Sequence, residues 1–272
     1  MGELRMLRSV MTSYRTFPNV LTGRVAAAAL VFAVALGLVF VKPTVAKDAK
    51  AVVELFTSQG CSSCPPADAF LGDLTKRDDV IALTLPVDYW DYLGWKDTLA
   101  SPTHSKRQRA YARRRGDGQV YTPQMVINGR DHAIGSHRSA VNRTIDREAD
   151  LAKQSWVKVK LSSDKNAIMV SAGDYRGAGK APDATIWLLL STKKTDVAIR
   201  RGENRGQSIS YHNVVRQMVP IGKWTGSAVM VELPKSDLME GYDGCTAILQ
   251  VNGAGPILGA AYLDGAMIAT TN

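Results

Sequence analysis

Ala51-Val52-Val53-Glu54-Leu55-Phe56-Thr57-Ser58-Gln59-Gly60-Cys61-Ser62-Ser63-Cys64-Pro65-Pro66-Ala67-Asp68 is the stretch on which the fold turns. An apolar, β-branched run reaches a glycine, two cysteines follow with two residues between them, and a helix-compatible segment runs on to Lys76. The pattern predicts a buried strand, a sharp turn and a helix. A cysteine at such a turn meets unpaired backbone N–H groups and the positive end of the helix dipole, which stabilise a thiolate. A second cysteine three residues on can close a disulfide or resolve a mixed one. Cys61 is assigned as the attacking thiolate, nearer the helix start and more exposed, and Cys64 as the resolving thiol. Ser62 and Ser63 can donate hydrogen bonds to the Cys61 sulfur and lower its pKa. Asp68 and Glu54 each carry two readings: a carboxylate that takes the proton of Cys64, or a solvated charge, which is the commoner fate of such residues.

Outward from this stretch the first half alternates. Val80–Asp88 reads as a second apolar strand, and a strand–helix–strand order predicts parallel pairing through a right-handed crossover. Tyr89-Trp90-Asp91-Tyr92-Leu93-Gly94-Trp95 follows. Its aromatic rings either wall a substrate groove beside the turn or pack as ordinary core. Ser101 as N-cap and Pro102 at the first helical position open a basic helix that Gly116 stops. Lys106, Arg107, Arg109, Arg113, Arg114 and Arg115 crowd it, as a solvated face or as a steering surface for an acidic partner. Thr122-Pro123 precedes a short strand, Asn128-Gly129 signals a hairpin, and Ser136 caps a helix of about His137 to Lys153.

From Trp156 the character changes to short strands separated by turn residues: 157–162, 167–172, 185–190, 208–219, 228–232, 246–251 and 258–263. Seven such runs argue for an antiparallel sandwich or barrel. The expected organisation is therefore an α/β domain over 47–153 and an all-β, sandwich-like domain over 154–272. Arg200–Arg205 reads as a solvated hairpin connection, and Cys245 as a small buried residue.

Ahead of both domains, residues 1–24 carry a net charge of +3, and the 17 residues from Val25 to Val41 carry none. Small residues end at Ala46. This is the pattern of a cleaved secretory signal over 1–46, or of a membrane anchor over 25–41 where cleavage does not occur. Export places the cysteines in a periplasmic or extracellular, disulfide-permissive compartment. Residues 47–272 keep 29 basic and 24 acidic residues, a net +5 that gives no argument for nucleic acid. His104, His132 and His137 fit no zinc spacing with the cysteines, so neither metal nor cofactor is expected.

The order of elements resembles thioredoxin-like proteins, and Thr122-Pro123-Gln124-Met125-Val126-Ile127-Asn128-Gly129 with Ile134-Gly135-Ser136 resembles their cis-proline segment, above all that of glutaredoxins. Val53–Asp68, Val87–Asp97, Tyr121–Gly129 and Ile199–Arg216 resemble an exported thioredoxin-like family known as domain of unknown function 1223. The resemblance implies a cis bond before Pro123, with the backbone of Thr122 and Pro123 holding an extended substrate beside Cys61, Ser62 and Ser63, walled by Tyr89 and Trp90. It departs from thioredoxins at Gly60, where they carry tryptophan. The expected function is thiol–disulfide exchange with protein thiols or disulfides. The alternatives are a binding module whose Cys61–Cys64 bridge is structural, and glutathione-linked redox chemistry.

Overall fold

The computed structural model describes residues 49–265, with every side chain but those of 236 and 237. The signal or anchor reading of 1–46 falls outside the described residues. The chain runs β1 (Ala51–Thr57), α1 (Pro65–Leu74), β2 (Val80–Pro86), a single 3-10 turn (Asp91–Leu93), α2 (Pro102–Arg115), β3 (Gln124–Ile127), β4 (Asp131–Ile134) and α3 (Arg138–Ala152). It continues through β5 (Val159–Ser163), β6 (Ala167–Ala172), β7 (Ala184–Ala198), β8 (Ser208–Trp224), β9 (Val229–Pro234), a short α4 (Lys235–Met239), β10 (Gly244–Val251) and β11 (Ile257–Asp264).

Local signals hold well. β1 and β2 pair in parallel from Ala51↔Val80 to Thr57↔Pro86. Asn128 and Gly129 take φ of +48° and +64°, and the Arg130 N–H donates to the Ile127 carbonyl, closing a two-residue turn between β3 and β4. Ser101 caps α2 by accepting from the Thr103 N–H at 3.2 Å, and Gly116 ends it at φ +80°.

The expected division into a self-contained α/β thioredoxin-like domain and a separate all-β domain does not hold. The molecule is mostly β, and one mixed sheet of eight strands, in the order β11-β10-β7-β8-β2-β1-β3-β4, takes strands from both halves. The physical reason is the outer edge of β2. A strand that apolar cannot leave its backbone groups facing water, and β8 covers them. β8 meets β2 in parallel at Thr84↔Val214; the Asn213 side chain donates to the Ala82 carbonyl at 3.0 Å, and the Thr84 hydroxyl donates to the His212 carbonyl at 2.6 Å. The boundary near 153 falls between α3 and β5, yet it does not divide the sheet.

A second sheet, β5-β6-β9, packs face to face on the β7-β10-β11 portion, the part that the sandwich expectation describes. Alternation along β1 sorts the other layers. Ala51, Val53 and Leu55 meet α1 and α3, whereas Val52 and Phe56 turn to Tyr111 of α2 and to Leu189, Val215 and Ile248 of the second half. β1 is buried at all seven positions for that reason.

Candidate functional site

The turn after β1 is held from three directions. Cys61 and Cys64 form a disulfide with a Cα–Cα distance of 5.4 Å. Cys64, rather than Cys61, is the N-cap of α1, with Pro65 at the first helical position. The Ser63 hydroxyl lies 3.4 Å from the Cys61 sulfur, while Ser62 and Ser63 face solvent. Both cysteines are buried, Cys61 at 2% exposure. Asn204, 143 residues beyond Cys61, ties this turn to the second half of the chain.

The tip between β7 and β8 folds over the turn. Asn204, 1% exposed, donates through Nδ2 to the carbonyls of Gln59 at 3.0 Å and Cys61 at 2.9 Å. The Ser62 N–H donates to Glu203 Oε2 at 3.3 Å. Ile199, Ile209, Tyr211 and Val214 form an apolar patch with Leu99, against which Trp95 packs. The segment Arg200–Arg205 is the exposed hairpin connection that the sequence suggests, save that Asn204 is buried and ties it to the cysteine turn. Gly202 and Gly206 take φ of +77° and +85°, the left-handed conformation that the tight connection requires.

The aromatic segment serves as scaffold here. Trp95 Nε1 donates to Gln59 Oε1 at 2.7 Å, and Trp90 Nε1 donates to Thr122 Oγ1 at 2.8 Å. The Tyr89 hydroxyl donates to Gln108, while Tyr92 is exposed. A Cβ on Gly60 would come within 3.2 Å of Trp90 Cβ, so this position has little room for the tryptophan that thioredoxins carry there.

Thr122-Pro123 is a cis peptide. Phe56↔Gln124 pairing sets Pro123 beside the C-terminal end of β1. Pro123 and Ala67 of α1 both close on Gly135, where an added Cβ would meet them at 3.3 and 3.0 Å. The cysteine turn, the start of α1 and the cis-proline thus gather at one end of the sheet.

Beneath the turn lies the feature the sequence hid. Asp68 is 2% exposed, one helical turn after Cys64 and on the same face of α1. Its two oxygens, the Thr57 hydroxyl and the Tyr211 hydroxyl are buried without hydrogen-bond partners among the described residues. Burial pushes the Asp68 carboxyl up to about 8, the Thr57 hydroxyl beside it opposes the rise, and nearby Asp97 adds to it. Burial also pushes the Tyr211 phenol well up, with Asp68 and Asp97 contributing. Asp97 is itself raised by burial, against the N–H groups of Gln59 and Leu99 that it accepts at 2.8 Å each. The solvated reading of Asp68 is overturned.

It is overturned for Glu54 too, but in a different place. Glu54 is fully buried, accepts from Arg107 Nε at 2.6 Å and from the Tyr111 hydroxyl, and faces α2. The three histidines lie apart: His104 against the Pro86 carbonyl, His132 between Tyr121 and Asp117, His137 at the start of α3. Burial holds His104 down at about 4. Among the described residues no three His, Cys, Asp or Glu side chains form a metal-holding group. Cys245 is buried between the two sheets, its thiol pushed up to about 12 by burial.

Residues 52–252 match the model of a family described as Protein of unknown function (DUF1223), and the chain belongs to that family. A protein of Agrobacterium tumefaciens solved by X-ray crystallography is 34% identical, with 80% of this chain and 95% of that one covered at a TM-score of 0.70. HBP35 of Porphyromonas gingivalis is similar in fold alone, at 12% identity and a TM-score of 0.53 over 82% of this chain and 76% of that one. No curated protein matches the chain.

Proposed function

We propose that this member of the family is an exported thiol–disulfide oxidoreductase working through Cys61 and Cys64. The observation that carries the reading is a disulfide on a strand-to-helix turn with a buried carboxyl one helical turn further on. The cis-proline at the same end of the sheet as the Cys-X-X-Cys turn supports the reading.

In the oxidised form a substrate thiolate attacks Sγ of Cys61. The Cys61–Cys64 bond breaks, a mixed disulfide joins substrate to Cys61, and Cys64 departs as a thiolate. Asp68, carrying its proton at neutral pH, supplies that proton to Cys64. A second substrate thiolate then attacks the substrate sulfur of the mixed disulfide and releases Cys61. Two electrons pass from the substrate dithiol to the cysteine pair, and the same steps reversed reduce a substrate disulfide. The backbone at Thr122-Pro123 is the surface along which an extended partner lies, and Trp90 fixes Thr122 from behind.

Replacing Cys61 by serine is expected to abolish exchange with a model disulfide such as 5,5′-dithiobis(2-nitrobenzoate), and full retention of exchange would sink the proposal. A second reading has its own support in the burial of both sulfurs: a non-catalytic binding module with a structural bridge. The reduction potential separates the two. A working pair falls at about −120 to −270 mV and a structural bridge below about −300 mV. A mixed disulfide between Cys61 and glutathione would identify glutathione as the partner thiol.

A further inference from the structure

α2 carries an anomaly on its outer flank. Its buried face is His104, Ser105, Gln108, Tyr111 and Ala112. The next stripe, exposed Lys106 and Arg113 with half-buried Ala110 between them, borders a concave space of about 380 Å³. The opposite wall is Trp187 of β7, Met218 of β8 and the 251–254 connection between β10 and β11. Trp187 and Met218 are half-buried. The walls are therefore two sheet strands, a helix and a tight turn, a largely pre-formed frame of ligand-site size.

No carboxylate lines this space. Of its three cations, Arg107 is neutralised by Glu54 at 2.6 Å and further held by Gln250 Oε1 at 3.0 Å. Lys106 and Arg113 have no acidic partner among the described residues. Two uncompensated positive charges at the rim of a cleft with apolar walls focus a positive potential into it. An arginine fork matches a carboxylate, sulfonate or phosphate, and an indole face takes a flat apolar body.

We propose that the cleft between α2 and the β7–β8 wall is a binding site for a small organic anion with an apolar, preferably aromatic, body. Lys106 and Arg113 take the charged end, and Trp187 and Met218 take the body. The site lies on the α2 face of the sheet, whereas α1 packs on the other, so it is independent of the redox reading of Cys61 and Cys64.

The test uses 8-anilinonaphthalene-1-sulfonate and its uncharged parent N-phenyl-1-naphthylamine, titrated into the whole protein by probe fluorescence and by energy transfer from tryptophan. The sulfonate is expected to bind one to one. The neutral parent is expected to bind about tenfold or more weakly, as one lost charge-assisted contact implies. Lys106→Glu with Arg113→Glu lowers sulfonate affinity about tenfold or more, and raising salt from about 0.05 to 0.5 M weakens it. Both side chains are exposed, so the melting temperature of the double variant stays near that of the parent protein. Ala110→Trp fills the cleft from the helix side and removes binding without touching a charge. Cys61→Ser leaves it intact. Equal binding of the two probes, or sulfonate binding unmoved by both the charge reversal and Ala110→Trp, overturns the proposal.

Discussion

Asp68 sits where folding is least willing to place a carboxylate. Its pKa rises from 3.8 to about 8 on burial. The unfolded chain therefore loses its proton at a lower pH than the folded one. The folded state is unpenalised below about pH 4 and loses stability progressively as pH rises toward 8, by up to roughly 6 kcal/mol at about 1.36 kcal/mol per pKa unit. Asp68→Asn is thus expected to leave stability at pH 3.5 nearly unchanged and to raise it at pH 8 by most of that amount, since the amide does not ionise. Urea unfolding at the two pH values measures the difference; a variant less stable at pH 8 would show that the carboxylate has a partner there. The same substitution slows release of Cys64 in the exchange reaction, so stability and activity move in opposite directions. The sequence offers Asp68 as a proton handler for Cys64, but not its burial. An aspartate in the first turn of a helix is ordinarily a solvated, dipole-favoured residue, and its neighbours here include Tyr211 and Asp97, which are remote in the chain.

At the scale of elements, what was readable is what depends on neighbours in sequence. β1, β2, the capped α2, the Asn128-Gly129 turn and the seven strands of the second half all follow from patterns a few residues long. β7 runs on past Leu190 through Thr192, Lys193 and Lys194, polar and charged residues whose strand is fixed by pairing with β8 as far as Ala198↔Ser208. That extension delivers Asn204 to the cysteine turn. Asn204→Ala removes two buried hydrogen bonds worth about 1 kcal/mol each and leaves the Gln59 carbonyl unpaired, while the Cys61 carbonyl keeps the Cys64 N–H. Reduction of the Cys61–Cys64 bond by dithiothreitol is expected to become about fivefold or more faster in this variant, as the tip opens more often. Unchanged reduction kinetics would mean that reagents reach the sulfur by another route.

For the whole molecule, the shared sheet predicts that the halves do not fold apart. A chain ending at Lys153 exposes the edge of β2 and strips Leu189, Val215, Ile248 and Ala260 from the layer over Val52, Phe56 and Leu85. It is expected to unfold without a cooperative transition in urea, and a sharp two-state curve for that fragment would refute the point. No helix among the described residues is long and apolar enough to cross a membrane. The join between halves also sets an order in time. Asn204 lies 143 residues beyond Cys61, and at ~5–20 residues per second the nascent chain takes roughly 7–30 s to supply it. For that interval the two thiols stand uncovered to any oxidant the growing chain meets, and only completion of the β7–β8 hairpin brings their first state, oxidised or reduced, under guard.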